Sequence, residues 1–237
     1  MEKNVIFTPS SILPQIDALL EKYPDLSVVR MSDSSAQLHG FLPIHRSFRG
    51  FVLNKTYLLD IHIPLNSDRL PYVIDYERIV APDYHHIYGN GELCLETDTN
   101  IRLRFIDGFD LVAWAEEYIE LYFLSYEYYM RYGFFPFGER GHGVLGILQT
   151  YQDLFSTPDL RATYSLMHHV AHHPYRGHTP CPCGSNRHLR SCHGSELMQF
   201  YQDDRHKAIL QQDFTHINKE LRLANEFRFN QNATKPR

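Results

Sequence analysis

The stretch His86-Ile87-Tyr88-Gly89-Asn90-Gly91-Glu92-Leu93-Cys94-Leu95 places one cysteine three residues after an Asn-Gly turn, with His85 and His86 just upstream. A nucleophilic cysteine needs a loop that presents sulfur to solvent, and donors for the charge that builds on an attacked carbonyl. The other cysteines, Cys181, Cys183 and Cys192, crowd together near the C-terminus beside His193. The cysteines therefore divide into a lone thiol and a cluster with the donor set of a metal site. The leucines flanking Cys94 also suit a small buried hydrophobe. The polar, irregular chain upstream favours a functional loop.

The elements that must position these residues read as follows. Ser10 and Ser11 are good helix caps, and Ile12, Leu13, Ile16, Leu19, Leu20 and Tyr23 follow at helical spacing as far as Pro24. Residues 36–42, 50–54 and 56–64 read as strands, and in the last Tyr57, Leu59, Ile61 and Ile63 form one apolar face. Residues 71–74 add a short edge strand. Residues 75–95 show little periodicity and read as a long functional loop.

A helix runs from Asp110 to about Tyr132, with Trp114, Tyr118, Leu121, Ser125 and Tyr128 along one face. Further helices are expected over 144–155, from Thr157-Pro158 into 162–170, and across 195–229. The last eight residues are expected to fray. Helix, meander, loop and helices in that order make an α+β fold with an antiparallel sheet. No Gly-rich phosphate loop or dinucleotide fingerprint is present.

A length of 237 residues suits one good-sized domain with a small appendage, and 43% apolar with 22% charged residues is ordinary for a folded chain. No apolar run is long enough to span a bilayer, and no secretory signal precedes residue 12. Free thiols fit the cytoplasm. Residues 161–237 carry 11 Lys/Arg against 6 Asp/Glu, a balance of +5, so residues 1–160 carry −10 and the two sum to the net −5. That sign change suggests two modules with different partners. The positive half lacks a dense basic run, so nucleic-acid binding is not the expected reading.

The stretch around Cys94 resembles the active-site segment of ubiquitin-conjugating enzymes, where Asn-Gly-x-Ile/Val-Cys-Leu follows a His-Pro-Asn element. Ile87, Asn90, Gly91, Leu93, Cys94 and Leu95 stand where that pattern wants them, and Leu70-Pro71-Tyr72-Val73 looks like the family's proline-containing strand. The resemblance covers roughly residues 10–155. It implies a domain over 1–157 with an N-terminal helix, a four-strand meander, an active-site loop and C-terminal helices. It also implies a transferase in which Cys94 carries an acyl group as a thioester.

Two departures stand out. Tyr84-His85-His86 replaces His-Pro-Asn, and Glu96-Thr97-Asp98-Thr99-Asn100 replaces the family's Trp-Ser-Pro element. They resemble divergent bacterial relatives found in antiphage operons. Those relatives act on a ubiquitin-like protein with an activating enzyme, or on a nucleotidyltransferase cyclase without one. His85 or His86 would then supply the oxyanion donor or help deprotonate the incoming nucleophile. Both also fit as plain loop residues. Asn90 and Gly91 are explained by turn geometry, and Glu96 and Asp98 read as solvated.

Cys181-Pro-Cys183-Gly-Ser, six residues, then Cys192-His193-Gly supplies three thiolates and one imidazole for a tetrahedral zinc ion, with Gly184 and Ser185 permitting the turn. The stretch 179–195 closely resembles the SEC-C motif, first recognised at the C-terminus of the preprotein translocase motor. Four protein ligands leave no open position, so the zinc is expected to be structural, within a helical region over 158–237. Arg187 and Arg190 between the ligands form a basic knuckle able to touch an acidic partner. His168-His169-Val-Ala-His172-His173 offers histidines four apart but lacks the HExxH glutamate, so no metalloenzyme site is expected there.

The reading is a cytoplasmic bacterial conjugating-like acyl carrier whose partner is a protein ending in glycine. An activating enzyme is a possible second partner. Two alternatives belong to other classes: an inactive conjugating-like scaffold that only binds its partner, and a nucleic-acid-binding accessory protein. The chain's own C-terminus lacks glycine, so it is not expected to be the modifier.

Overall fold

The computed structural model describes residues 6–233, with side chains as far as residue 223. In chain order the elements are α1 (Pro9–Lys22), strands β1 (Leu26–Met31), β2 (Ser35–Phe48), β3 (Phe51–Pro64) and β4 (Tyr72–Asp75), then α2 (Asp98–Arg104). After them come α3 (Leu111–Trp114), a π-helical turn (Ala115–Ile119), α4 (Glu120–Tyr132), α5 (Gly143–Leu154) and α6 (Leu160–His172). A 3₁₀ turn (Leu189–Ser191), α7 (Gly194–Gln202) and α8 (Asp204–Ala233) complete the chain. The fold is α+β with one four-stranded antiparallel sheet of order β1-β2-β3-β4. Of the last eight residues expected to fray, 230–233 continue α8, and the remainder lies outside the described residues. No described helix is long and apolar enough to cross a membrane.

Contacts divide the chain into two compact units. One comprises Met1–Glu96 and Asp107–Glu139, and the other Thr97–Ile106 and Arg140–Arg237. The expected boundary after residue 157 is therefore displaced. α5 packs against α6 and α8, and Tyr151 and Phe155 belong to the same buried cluster as Leu166, Leu197 and Phe200. The segment after the thiol, read as a polar replacement for a family element, is the helix α2. Thr97 caps it by accepting from the Asn100 amide, and it packs on α8 within the second unit.

In the first unit, α1 starts one turn earlier than Ser10 and Ser11 suggested. Thr8 is the cap, and Ser11 returns a side-chain bond to the Thr8 amide, completing a capping box. Pro9 then takes the first helical position, where its missing N–H costs nothing. Ile12, Ile16, Leu19 and Tyr23 are buried, while Leu13 faces solvent.

β2 and β3 pair over their whole length through the two-residue turn Arg49-Gly50, both with positive φ. Tyr57, Leu59, Ile61 and Ile63 are fully buried, as the alternation requires. The two strands expected over 50–54 and 56–64 are one. Lys55 interrupts the apolar pattern without ending the strand: it pairs with Ile44 in an unbroken register, and its exposed side chain reaches Glu127 on α4 at 2.6 Å. β1 gave no periodic signal because it is an edge strand with only Leu26 buried.

The helix over 111–132 begins at its Asp110 cap and stops at Gly133; of the expected face Trp114 and Tyr128 are buried and Tyr118 and Ser125 half-buried. The π turn adds a residue to one turn and shifts the phase. Tyr122, Phe123 and Tyr126 are buried and Leu121 is exposed. α4 is fastened to the sheet by Glu120, whose Oε2 accepts from Arg46 Nε at 2.5 Å and whose Oε1 accepts from the Tyr23 hydroxyl at 2.6 Å. Tyr57 stacks on Phe123 with ring centroids 3.8 Å apart.

The second unit closes over Tyr151, Leu166, Met167, Val170, Leu189, Leu197, Phe200, Leu210 and Ile217. Asp213 enters this interior, and its Oδ2 accepts from the Thr99 hydroxyl at 2.7 Å and from Tyr151 at 2.8 Å. Burial raises its carboxyl pKa above 3.8, only partly opposed by those two donors. A carboxyl raised in the folded state gives stability that is present below its unfolded pKa and lost as pH rises through the folded value. Asp213→Asn keeps an acceptor for both hydroxyls and should flatten that part of the stability-against-pH curve above pH 3.8. Asp213→Leu strands both hydroxyls and should cost about 1–3 kcal/mol by urea unfolding. Equal losses for the two variants would show that the acceptor is not what matters.

Candidate functional site

Gly91 makes the turn before the thiol. Its φ is +85°, a conformation that suits glycine, and its amide donates to the Tyr88 carbonyl at 2.8 Å. The Asn90 side chain accepts from the Glu92 amide at 3.1 Å, so this residue shapes the turn, as its type suggested. The chain then doubles back on itself. Tyr88 N–H donates to the Glu92 carbonyl at 2.8 Å, and Cys94 N–H donates to the His86 carbonyl at 2.9 Å. On the other side, Leu93 N–H donates to the Val73 carbonyl of β4 at 2.9 Å. Leu93 is buried and Cys94 is partly exposed. The loop thus uses the leucine as its anchor and leaves Cys94 at the edge of the core.

The upstream half of the loop is held by acceptors and donors from β4 and α4. Asp75 Oδ2 accepts from the Val80 amide at 2.7 Å. Burial raises the pKa of this carboxyl. The Tyr126 hydroxyl donates to the Ile79 carbonyl at 3.0 Å and accepts from the Ala81 amide at 3.1 Å. The Tyr122 hydroxyl donates to the His86 carbonyl at 2.9 Å. Burial, above all, pushes the Tyr122 pKa far up, with the neighbouring Tyr84 and Cys94 adding to it. The hydroxyl therefore keeps its proton and remains a donor.

Two of the three residues named for chemistry come together. A ring nitrogen of His86 and the Cys94 sulfur lie within 4.8 Å of one another. The His86 side chain is only 17% exposed, set edge-on to Tyr84 and Phe135, with Nε2 3.9 Å from a Glu139 carboxylate oxygen. His85 is 65% exposed, and its Nδ1 meets the same Glu139 oxygen at 3.4 Å. It sits on the surface rather than in the aromatic setting. Sequence reading missed Tyr88, whose hydroxyl donates to Cys94 Sγ at 3.5 Å. It also missed Tyr122 and Glu139, which come from a different part of the chain and carry no local motif. An imidazole and a phenol beside a partly exposed thiol can accept its proton and stabilise the thiolate.

The Cys/His cluster is assembled within the second unit. Cys181, Cys183, Cys192 and His193 bring their donor atoms within 4.8 Å of one another. The closest approaches are 3.3 Å from His193 Nδ1 to both Cys181 and Cys192, and 3.6 Å between Cys183 and Cys192. Ligands at ordinary zinc distances in a tetrahedron stand about 3.6–3.8 Å apart, so this spacing suits one small ion at the centre. Gly184, at φ +83°, turns the chain between ligands. The Pro180–His188 bridge and the 3₁₀ turn close the knuckle, and Cys181 and Leu189 sink into the core. Burial raises the Cys181 pKa. Cys183 is lowered despite its burial, because the Ser185 hydroxyl and amide donate to it. A Cys₃His group of this kind can hold a metal ion.

No protein-family model matches the chain, and no curated protein or solved structure shows significant similarity to it.

Removing the Tyr122 hydroxyl tests how the thiol is positioned. Tyr122→Phe should cost about 1 kcal/mol and speed hydrogen exchange at the Cys94 amide, because both share the His86 carbonyl. Exchange unchanged from the parent protein would separate α4 from control of the loop.

Proposed function

We propose that the first unit is a ubiquitin-conjugating-like acyl carrier in which Cys94 accepts the C-terminal glycyl group of a partner protein. The observation that carries this reading is Cys94, a partly exposed residue seated on a hydrogen-bonded Asn-Gly turn, with a His86 ring nitrogen within 4.8 Å of its sulfur. The α+β order and the four-strand meander support it. In the first step the thiolate attacks the carbonyl of an activated glycyl group. A C–S bond forms, and adenylate or an activating enzyme's thiol leaves. In the second step an acceptor amine attacks the thioester. A C–N bond forms, the C–S bond breaks, and Cys94 leaves as thiolate while the amine's proton passes to a base.

His86 takes the place of the family's asparagine. As a neutral imidazole it donates N–H to the tetrahedral oxyanion, or it accepts a proton through a bare nitrogen. Glu139 beside it steadies the protonated ring. The partner is a ubiquitin-like protein or a nucleotidyltransferase cyclase with a C-terminal glycine, in a bacterial antiviral defence setting.

Incubation with an activated partner should give an adduct that reducing thiol cleaves. Cys94→Ser should give a thiol-resistant oxyester, and Cys94→Ala no adduct. His86→Ala should slow single-turnover transfer about a hundredfold, the usual cost of one oxyanion donor, and His86→Asn should recover part of it. His85→Ala should leave the rate near that of the parent. An adduct that forms equally well on the Cys94→Ala variant would reduce the unit to a binding scaffold.

For the second unit, we infer that the Cys₃His group holds one structural zinc ion. Three thiolates and an imidazole favour zinc among common divalent ions, and with four protein donors no position remains for water. Protein purified without chelator should contain one zinc per chain. Cys183→Ser should lose it and make residues 175–223 protease-sensitive, with the alkylation rate of Cys94 unchanged. Full zinc retention by both Cys183→Ser and Cys192→Ser would exclude this ligand set.

A further inference from the structure

The second unit also carries a groove between α6 and α8, apart from its Cys/His cluster. Its volume is about 750 Å³, and its walls are formed by Tyr164, His168 and His172 on one side and Phe214, Lys219 and Arg222 on the other. That volume falls within the roughly 300–1,000 Å³ typical of small-molecule sites. No carboxylate lines it among the described residues.

The two sides offer different chemistry. On α6, Tyr164, His168 and His172 line the groove with rings, and the buried Phe214 of α8 backs them. The two imidazoles have centroids 4.8 Å apart, and each meets Phe214 edge-on at 5.6–5.7 Å. Tyr164 lies 5.1 Å from Phe214. Burial, then the neighbouring His172 and His173, lower the His168 pKa, which favours the neutral ring at neutral pH and makes it a stacking surface. On α8, Lys219 and Arg222 are three residues apart on one exposed face, close enough to share one anionic group.

The floor is already braced. The Tyr164 hydroxyl donates to Asn218 Oδ1 at 2.6 Å, and Asn218 Nδ2 donates to the Phe214 carbonyl at 2.8 Å. The α6 side adds positive charge. From Leu160 to Ser195 the chain has no aspartate or glutamate but contains Arg161, Arg176, Arg187 and Arg190.

We propose that this groove binds a nucleoside phosphate, its planar base against the exposed His168 and His172 imidazoles and its phosphate paired with Lys219 and Arg222. A ligand with both a flat π face and a compact anion engages both walls together. An acidic peptide or a free phosphate engages the cations alone and leaves the rings unused. Cations and aromatic rings side by side are the pairing that nucleotides exploit in stacking sites.

Calorimetry on the full chain with adenosine monophosphate, adenosine, inorganic phosphate and a single-stranded oligoadenylate tests the proposal. The monophosphate should bind at least tenfold more tightly than either adenosine or phosphate. Lys219→Ala with Arg222→Ala should remove that advantage while leaving adenosine binding unchanged. His168→Ala with His172→Ala should weaken both adenosine and the monophosphate but not phosphate. All four side chains are exposed, so circular dichroism should report the parent fold in both double variants. The proposal fails if phosphate matches the monophosphate, which would mark a simple anion site. It fails also if the monophosphate does not bind at millimolar concentration, if both double variants bind it like the parent, or if only the oligonucleotide binds.

Discussion

The geometry of the thiol depends on one backbone carbonyl. The His86 carbonyl accepts from the Cys94 amide and from the Tyr122 hydroxyl, both at 2.9 Å. The first bond closes the loop on itself, and the second fastens the closed loop to α4. Because the Tyr122 phenol is buried and its ionisation suppressed, the donor does not change with pH across the neutral range. The same carbonyl belongs to the residue whose imidazole lies beside the sulfur, so one anchor fixes the thiol and its neighbouring ring together. A loop that left this carbonyl to water would let both side chains drift, and reactive geometry is sensitive to displacements of about an ångström.

That anchor works only because α4 presents the right face. Tyr122, Tyr126 and Tyr129 stand four and three residues apart, so they share one stripe of the helix, and each meets Tyr84 or the loop backbone. The π turn at Ala115–Ile119 sets the phase of that stripe relative to α3. Downstream of it, Glu120 clamps the helix to Arg46 and Tyr23, and Glu127 reaches Lys55 and Tyr57. Polar contacts from the sheet thus fix the register of the helix, and the helix in turn fixes the loop. π turns recur where a helix serves a functional site, because the extra residue re-aims side chains without ending the element.

What could be read from the residues follows from the range of the interactions involved. The turn before Cys94 was legible because Asn90 and Gly91 act within three residues of themselves. β3 was legible because Tyr57, Leu59, Ile61 and Ile63 alternate, and the Cys/His group because the spacing of its donors is local. Tyr122 and Glu139 were not, since their roles arise from positions brought together by the fold, and Tyr88 was not because the loop must double back before its hydroxyl meets the sulfur. Lys55 hid the continuity of β3 because its charge is balanced by a glutamate more than seventy residues away. The membership of α2 was hidden for the same reason: Thr99 and Asp213 are 114 positions apart.

The two sets of cysteines also divide the chemistry on physical grounds. In the Cys₃His group, thiols stand within 3.6 Å of each other and would repel as anions, so a cation is the natural means of deprotonating them together. Once four protein donors surround that ion, there is no vacancy from which to polarise a carbonyl or water. A thiolate held in this way is a ligand and a poor nucleophile. Cys94 has the opposite setting: one imidazole to exchange a proton with, one phenol to hold the sulfur's charge, and partial exposure. The proposed nucleophilic role is therefore assigned to Cys94, and the Cys₃His group is suited to holding an ion.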